Sequence, residues 1–347
     1  MKTVFLTGIR QMEIREDATP AIRLGTDVLI RVDVVGVCGS DVHYYTTGRI
    51  GSQVVQYPDS TGHECAGTVV EIGPDVKTLQ VGDRVVIDPA MPCGTCDQCR
   101  TNRSHTCRKL RFLGCPGQAP GALSEYLVMP ASSCFKIPDS MTLVKAALCE
   151  PLSIGLYAVR LANIQAGAGI GILGCGPIGL SVLLAIKATC PAENIYMTDR
   201  IEQRTATARQ LGASWTGIAG KEPVTQAIAK QEPLGLDYVF ECAGQQETLD
   251  QAIEMLKPGG KLLLIGIPEV SRISFNIDLL RRKEICIQNV RRQNECVQAT
   301  IDRVAGGQIK ADAMVTHHFP LMETQKAFDL VAGYQDGVIK AMIHLTP

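Results

Sequence analysis

The chain has 347 residues, of which 46% are hydrophobic and 20% charged, a composition typical of a globular protein large enough for two domains. Lysine and arginine number 34 against 35 aspartates and glutamates, so no excess of positive charge is available for a nucleic acid partner. The apolar run at 1–7 is too short for a signal peptide and no segment reads as a membrane span, which predicts a soluble, cytoplasmic protein.

The first 130 residues are expected to form short strands separated by glycine-containing turns. The predicted strands are 1–7, 28–35, 66–72, 84–87 and 123–128. Helical periodicity is scarce in this part of the chain. The sequence therefore predicts a β-rich first domain, folded over as a barrel.

From about residue 153, strand-like and helix-like segments alternate. The predicted strands are 169–173, 194–198, 214–218, 237–241, 261–266 and 285–290, and the predicted helices are 178–189, 202–211, 224–230 and 248–256. Alternation at this pitch is typical of βαβ units and of a doubly wound parallel sheet. The remaining segment is expected to contain helices and a final strand at 338–345, and to return to the first domain.

The segment 174–179 reads GCGPIG and matches the dinucleotide motif G-x-G-x-x-G between a strand and a helix. The first glycine permits a tight turn, the second lets the backbone approach a pyrophosphate, and the third allows close packing of helix on strand. Such turns also occur by chance, so the motif is weak evidence alone. The residues expected at the pyrophosphate are Gly174, Gly176, Pro177, Ile178 and Gly179.

Asp199 ends the second predicted strand of this domain and strengthens the nucleotide interpretation. An acid at this place hydrogen-bonds the ribose hydroxyls and repels a 2′-phosphate, which favours NAD over NADP. Arg200 and Arg204 follow, and either of them could stack on adenine or accept a phosphate, so NADP or dual use stays open. Alternatively, Asp199 is a helix cap and the two arginines lie on the surface.

Four cysteines follow the spacing C-x₂-C-x₂-C-x₇-C. They are Cys93, Cys96, Cys99 and Cys107. Two-residue gaps bring successive thiolates onto one tetrahedral cation, and four thiolates leave no open position, so the pattern predicts a structural zinc. An iron–sulfur cluster would call for a different last gap, and unliganded thiols are the remaining alternative.

A second, dispersed set of metal-ligating types consists of Cys38, His63, Glu64 and Glu150. None of them is distinctive alone, because a histidine is more often structural than a ligand and a cysteine can be a small buried hydrophobe. The residues by themselves leave a shared metal site and four separate structural roles open.

The order of these motifs resembles the zinc-dependent medium-chain alcohol dehydrogenases over essentially the whole chain. The matching segments are CGSD at 38–41, GHE at 62–64, the four-cysteine segment and the glycine turn. The segments VCGSDVHY at 37–44, GRIG at 48–51 and EPLS at 150–153 are similar to the polyol dehydrogenase branch. The resemblance implies an α/β protein with a β-rich GroES-like catalytic domain at 1–153 and 290–347 and a Rossmann NAD domain at 154–289.

The resemblance also implies roles for individual residues. Cys38 and His63 would bind a catalytic zinc, with Glu64 and Glu150 binding directly or through water. Ser40 and His43 would pass the proton outward, and Glu150 could act as the base. Further implied contacts are Tyr44, Arg292 and Glu150 for the substrate, and Gly266, Ile267 and Arg291 for the cofactor.

The implied reaction is zinc-assisted transfer of hydride from a secondary hydroxyl of a polyol to NAD, giving a ketose and NADH. Here the chain departs from the branch, because Arg291 and Gln293 replace the aromatic residues that flank Arg292. Two adjacent arginines could instead accept a sugar acid or sugar phosphate. A dehydrogenase of an amino alcohol such as threonine and a non-catalytic NAD-binding protein are further alternatives. The resemblance implies a homo-oligomer, a tetramer more than a dimer.

Overall fold

The computed structural model of the protein describes residues 1–190, 192 and 194–345, so the last two residues of the predicted catalytic domain lie outside it. The chain folds into two compact units. The first comprises Met1–Glu150, Val297–Gly307 and Val315–Pro347, and the second comprises Pro151–Cys296 and Gln308–Met314.

The strands and helices of the first unit are β1 (Lys2–Gly8), β2 (Gln11–Glu16), β3 (Asp27–Gly36), α1 (Gly39–Thr47), β4 (Arg49–Ile50), β5 (Gln53–Val54), β6 (Glu64–Ile72), β7 (Arg84–Ile87), β8 (Ala90–Met91), α2 (Asp97–Arg100), β9 (Arg111–Phe112), β10 (Tyr126–Pro130) and β11 (Cys134–Lys136). Helix α3 (Leu143–Ala162) leads from this unit into the second one.

The second unit contains β12 (Ile170–Leu173), α4 (Pro177–Thr189), β13 (Ile195–Asp199), α5 (Glu202–Gln210), β14 (Trp215–Ile218), α6 (Val224–Gln231), β15 (Leu236–Glu241), α7 (Gln246–Met255), β16 (Leu256–Leu264), α8 (Ile277–Lys283) and β17 (Cys286–Asn289). The chain then returns to the first unit with α9 (Val297–Ala305), β18 (Val315–Pro320), α10 (Thr324–Ala332) and β19 (Lys340–His344).

A seven-stranded sheet forms the centre of the first unit. Its strands run in the order β11-β7-β6-β3-β19-β18, and β10 also pairs with β3. Strand β3 is buried along almost its whole length and pairs with β6, β10 and β19, and six of its ten residues are aliphatic. The β-rich first domain is confirmed.

Several elements of the first unit differ from the sequence prediction, and the short strands β2, β4, β5, β8, β9 and β11 were not predicted. Helix α1 lies where only strands were expected, and β18 forms an edge strand where helices were expected. The helix is short and begins with Gly39, and β18 is half-exposed on alternate residues, so neither segment carries a strong periodic pattern. Strand β10 begins at Tyr126, a few residues later than predicted.

The second unit contains a six-stranded parallel sheet in the order β14-β13-β12-β15-β16-β17. This is the strand order of a doubly wound nucleotide-binding sheet, in which successive strands are added first on one side of β12 and then on the other. The predicted Rossmann fold is therefore confirmed, and all six predicted strands lie within a few residues of their observed positions. No helix within residues 1–190, 192 and 194–345 is long and apolar enough to cross a bilayer.

Candidate functional site

Cys38, His63 and Glu64 meet in the first unit, with one potential ligand atom of each within 4.8 Å of the others. Cys38 immediately precedes α1, His63 immediately precedes β6, and Glu64 is the first residue of β6. The β3–β6 register places Glu64 opposite Gly36, two residues before Cys38. Sheet pairing therefore brings together ligands that lie far apart in the sequence.

The donor chemistry of this set fits a zinc ion, which binds cysteine sulfur, histidine nitrogen and carboxylate oxygen. The His63 and Glu64 side chains are buried, while Cys38 is partly exposed, so the site is closed behind and open on the cysteine side. The Ser40 hydroxyl donates to the Cys38 sulfur at 3.3 Å. Three protein ligands leave a fourth position open, as in catalytic zinc sites.

Glu150 is buried on α3 and lies outside the three-residue set, although its charge interacts with those of His63 and Glu64. Burial, reinforced by the nearby Glu64 carboxylate, raises the pKa of Glu150 to about 7. A carboxyl group with that pKa can exchange a proton near neutral pH.

Asp41 lies behind the candidate ligand His63, with 3.3 Å between Oδ1 and the His63 Nδ1. Its Oδ1 also accepts hydrogen bonds from the Thr61 hydroxyl at 2.5 Å and from the Gly62 amide at 3.3 Å. Burial alone would raise the pKa of Asp41, but His63 and these hydrogen bonds together lower it. The carboxylate thus fixes the ring of His63, as partners of metal-bound histidines do.

Lys340 is a neighbour of this site that sequence reasoning missed. The side chain is buried, and its ammonium donates to Glu64 Oε2 at 2.5 Å and to the Val37 carbonyl at 3.1 Å. A Cβ atom on Gly36 would lie 2.5 Å from Glu64 Oε2, so glycine at that position makes room for the ion pair. The available signal was a lysine at the start of an otherwise apolar strand.

The four cysteines predicted to bind a structural zinc lie together on one loop, and their sulfur atoms all lie within 4.8 Å of one another. The sulfur of Cys96 lies 3.6 Å from that of Cys99 and 3.8 Å from that of Cys107. A tetrahedral zinc with bonds of about 2.3 Å separates its sulfurs by about 3.8 Å, so the cluster has the spacing that the ion requires. Hydrogen bonds from Thr95 lower the pKa of Cys93 to about 5, which favours the metal-binding thiolate.

Replacing Cys96 with serine is expected to remove the zinc of this loop and to lower the free energy of unfolding by about 3 kcal/mol or more. The reason is that the loop contains little regular structure beyond the four residues of α2. Metal analysis and thermal unfolding would measure both effects. A variant with unchanged zinc content and Tm would show that the cluster does not need the metal.

The glycine turn of the second unit has the geometry that the motif predicts. Gly174 adopts a φ of +102°, and a Cβ atom on Gly179 would collide with the Gly174 carbonyl. The amide of Cys175 donates to Asp199 Oδ2 at 2.7 Å, and the amide of Ile201 donates to Oδ1 at 2.9 Å. The carboxylate at the end of β13 is therefore held beside the turn, where ribose hydroxyls would meet it.

Glu241, at the end of β15, is a second residue that sequence reasoning missed. It is buried, and its Oε1 accepts from the amides of Ala243 and Gly244 at 2.8 and 2.7 Å and from the Thr248 hydroxyl at 2.8 Å. Its backbone carbonyl accepts from the Gly266 amide at 3.0 Å. The side chain thus holds the loop after β15, and the backbone carbonyl holds the segment after β16.

The other predicted cofactor and substrate residues differ in exposure. In the second unit Arg204 is buried close to Gly176, whereas Arg200, Arg291 and Ile267 are exposed. Arg292 is half-buried, with a φ of +56°. Such backbone strain in a residue other than glycine is often found at functional sites. In the first unit, His43 and Tyr44 follow Ser40 on α1.

Comparison with known proteins agrees with this arrangement. The model of the alcohol dehydrogenase GroES-like domain matches residues 25–139, and that of the zinc-binding dehydrogenases matches residues 177–306. The chain is 34% identical to a sorbitol dehydrogenase of Bacillus subtilis, over 99% of this chain and 97% of that protein. It is also 34% identical to an L-idonate 5-dehydrogenase of Vitis vinifera, over 98% of this chain and 94% of that protein.

Among solved structures, the fold is similar to that of a protein of Sinorhizobium meliloti described as a zinc-binding dehydrogenase bound to NADP. The TM-score is 0.90 at 29% identity, and the match covers 99% of both chains. The likeness therefore extends over both units and includes a nicotinamide-nucleotide-binding protein.

Proposed function

We propose that the protein oxidises a secondary hydroxyl of a polyol to a ketone with NAD, from the premise that the chain belongs to the zinc-dependent medium-chain alcohol dehydrogenases. Within that family its relatives place it in the polyol branch. The observation that carries the proposal is the meeting of the partly exposed Cys38 with the buried His63 and Glu64, which brings together one thiol, one imidazole and one carboxylate.

When bound there, zinc would supply a Lewis acid that lowers the pKa of a substrate hydroxyl, and NAD would supply the hydride acceptor. The chain itself supplies the ligands Cys38 and His63, with Glu64 held by Lys340. Asp41 keeps the imidazole in a fixed orientation. Lys340 thus supplies a positive charge beside the Glu64 carboxylate, and Asp41 a negative charge beside His63.

The proton released from the hydroxyl has two candidate acceptors in the first unit. Ser40 is hydrogen-bonded to Cys38 at the front of the site, and His43 lies three residues further on the same helix, so the two form one route outward. Glu150, with its pKa raised to about 7, can take a proton directly or through water.

For the cofactor, the carboxylate of Asp199 supports NAD, because it would repel a 2′-phosphate. Asp199→Ala is expected to raise the KM for NAD about tenfold or more and to reduce the discrimination against NADP. Initial rates with both nucleotides would measure this, and Asp278→Ala, an exposed residue of the same unit, is the control. Equal kinetics of Asp199→Ala and the parent enzyme would contradict the assignment.

The proposal also covers the domain bounds, the location, the oligomeric state and the zinc content of the protein. The catalytic zinc domain would comprise 1–153 and 290–347 and the NAD domain 154–289, in a cytoplasmic homo-oligomer that is a tetramer more than a dimer. Each chain would hold one catalytic and one structural zinc. Light scattering and metal analysis of the purified protein test both statements.

The substrate is tested with a panel of alcohols read as NADH absorbance. Relatives named for sorbitol and for L-idonate make a neutral polyol and a sugar acid the two candidates, and the adjacent Arg291 and Arg292 could accept the acid. We expect kcat/KM for sorbitol, xylitol or galactitol to exceed that for L-idonate, galactonate and threonine. A clear preference for an acid or for threonine would refute the polyol assignment.

A further inference from the structure

A cluster of four polar side chains in the first unit has three members that the mechanism above does not use. The Cys115 sulfur accepts from Gln53 Nε2 at 2.9 Å and from Gln118 Nε2 at 3.1 Å. The Tyr44 hydroxyl lies 3.6 Å from the same sulfur and donates to Gln53 Oε1 at 3.1 Å. Tyr44 and Cys115 are buried, and the glutamines are half-buried. We call these four residues the glutamine cluster.

The loop that carries Cys115 and Gln118 packs directly on the segment that carries His63. A Cβ atom on Gly114 would lie 2.6 Å from the Gly62 carbonyl oxygen, which itself accepts from the Ala122 amide at 2.8 Å. The Phe112 ring lies 5.4 Å from that of His63. Tyr44 lies on α1, which begins beside Cys38. The glutamine cluster is thus next to the metal ligands on two sides.

A substrate hydroxyl oxygen would accept hydrogen bonds from the two glutamine amides better than the Cys115 sulfur does. A cysteine sulfur is a weak acceptor, so amides that donate to it lose little when they turn to a hydroxyl oxygen. Amides and the phenol both donate and accept, as does a hydroxyl group. A carboxylate or phosphate only accepts, and cations bind it better than amides do.

We propose that the glutamine cluster is the subsite for the hydroxyl groups of the substrate that lie beyond the reacting carbon, and that it selects neutral polyols over sugar acids. Gln53, Gln118 and Tyr44 contact those hydroxyls, and Cys115 holds the three donors in place when no substrate is bound. This inference rests on the proposed function and determines the substrate class of the same site.

The test compares alcohols of different length in the NAD-dependent assay with the zinc-loaded enzyme. Gln53→Leu and Gln118→Leu are each expected to lower kcat/KM about tenfold for sorbitol and xylitol, the loss of about one hydrogen bond. For 2,3-butanediol, which has no hydroxyl beyond the reacting pair, the loss should stay below about twofold. Gln298→Leu, an exposed residue of α9 that bonds Asp302, should change neither.

The ratio of kcat/KM for sorbitol to that for L-idonate should fall in the Gln118→Leu enzyme, because the subsite that favours the neutral chain is lost. Equal losses on sorbitol and 2,3-butanediol, or no loss on either, would overturn the subsite. Folding of the leucine variants is checked by their zinc content and thermal unfolding, which should match those of the parent enzyme.

A binding measurement keeps this test separate from the test of the proposed function. Titration calorimetry of the zinc-loaded enzyme with NADH, which cannot accept hydride from an alcohol, should show sorbitol bound about tenfold more weakly by Gln53→Leu and Gln118→Leu than by the parent enzyme, and 2,3-butanediol bound equally. Equal sorbitol affinity of the parent and leucine enzymes overturns the subsite whatever the activity. Sorbitol binding that weakens in the leucine variants, without turnover of any alcohol by the parent enzyme, supports the subsite and refutes the proposed function.

Discussion

Replacing Cys38 with serine is expected to lower kcat/KM by about a thousandfold or more, with little effect on the fold. The thiolate is the only sulfur in the three-residue set, and a serine hydroxyl is a poor zinc ligand at neutral pH. A catalytic metal lowers the activation free energy by several kcal/mol, so its removal corresponds to a loss of kcat/KM of this size. Because Cys38 lies in a loop and is partly exposed, the free energy of unfolding of the zinc-free protein should change by less than about 1 kcal/mol.

The measurement combines initial rates, metal analysis and urea unfolding. The zinc held by the four-cysteine loop should remain, so Cys38→Ser and Cys96→Ser lose different ions with different consequences. Cys286→Ser, an exposed cysteine of the second unit, controls for the loss of a thiol and should match the parent enzyme. Full activity of Cys38→Ser would mean that the candidate site is not the catalytic one.

The fold of the second unit could be predicted almost completely from the sequence. Its first four parallel strands in the chain are each followed by a predicted helix, and that alternation specifies one class of sheet, although helix α8 after β16 was not predicted. In the first unit β3, β6 and β7 were equally clear, because buried strands are rich in aliphatic residues. Helix α1 was not, since two turns of helix with polar and aromatic residues have little periodicity, and tertiary packing forms it.

The residues of the candidate sites also differ in how well the sequence predicts them. The glycine turn and the four cysteines are local patterns, so their spacing predicts their chemistry. Cys38, His63 and Glu64 meet through sheet pairing, which spacing alone does not reveal, and it was the likeness to a family that brought them together. Lys340 and Glu241 act through their neighbours, so their only local signal is a charge at the end of an apolar strand.

Removing the charge of Lys340 is expected to give the largest loss of stability. Glu64 is only 1% exposed, so in Lys340→Met its carboxylate would stay buried without the ammonium partner. Breaking a buried ion pair on one side costs about 3–5 kcal/mol, because the desolvated charge left behind is uncompensated. Methionine fills nearly the same volume, so packing contributes little. Urea unfolding of the zinc-free protein measures the loss.

Zinc and a second substitution separate the charge effect from packing. Added zinc should restore part of the stability of Lys340→Met, since the cation offers Glu64 another positive partner. The double variant Glu64→Gln with Lys340→Met should be more stable than Lys340→Met alone, because neither charge then remains buried without a partner. If the double variant were instead less stable by the sum of both single losses, Lys340 would act by packing and not as the counter-charge of Glu64.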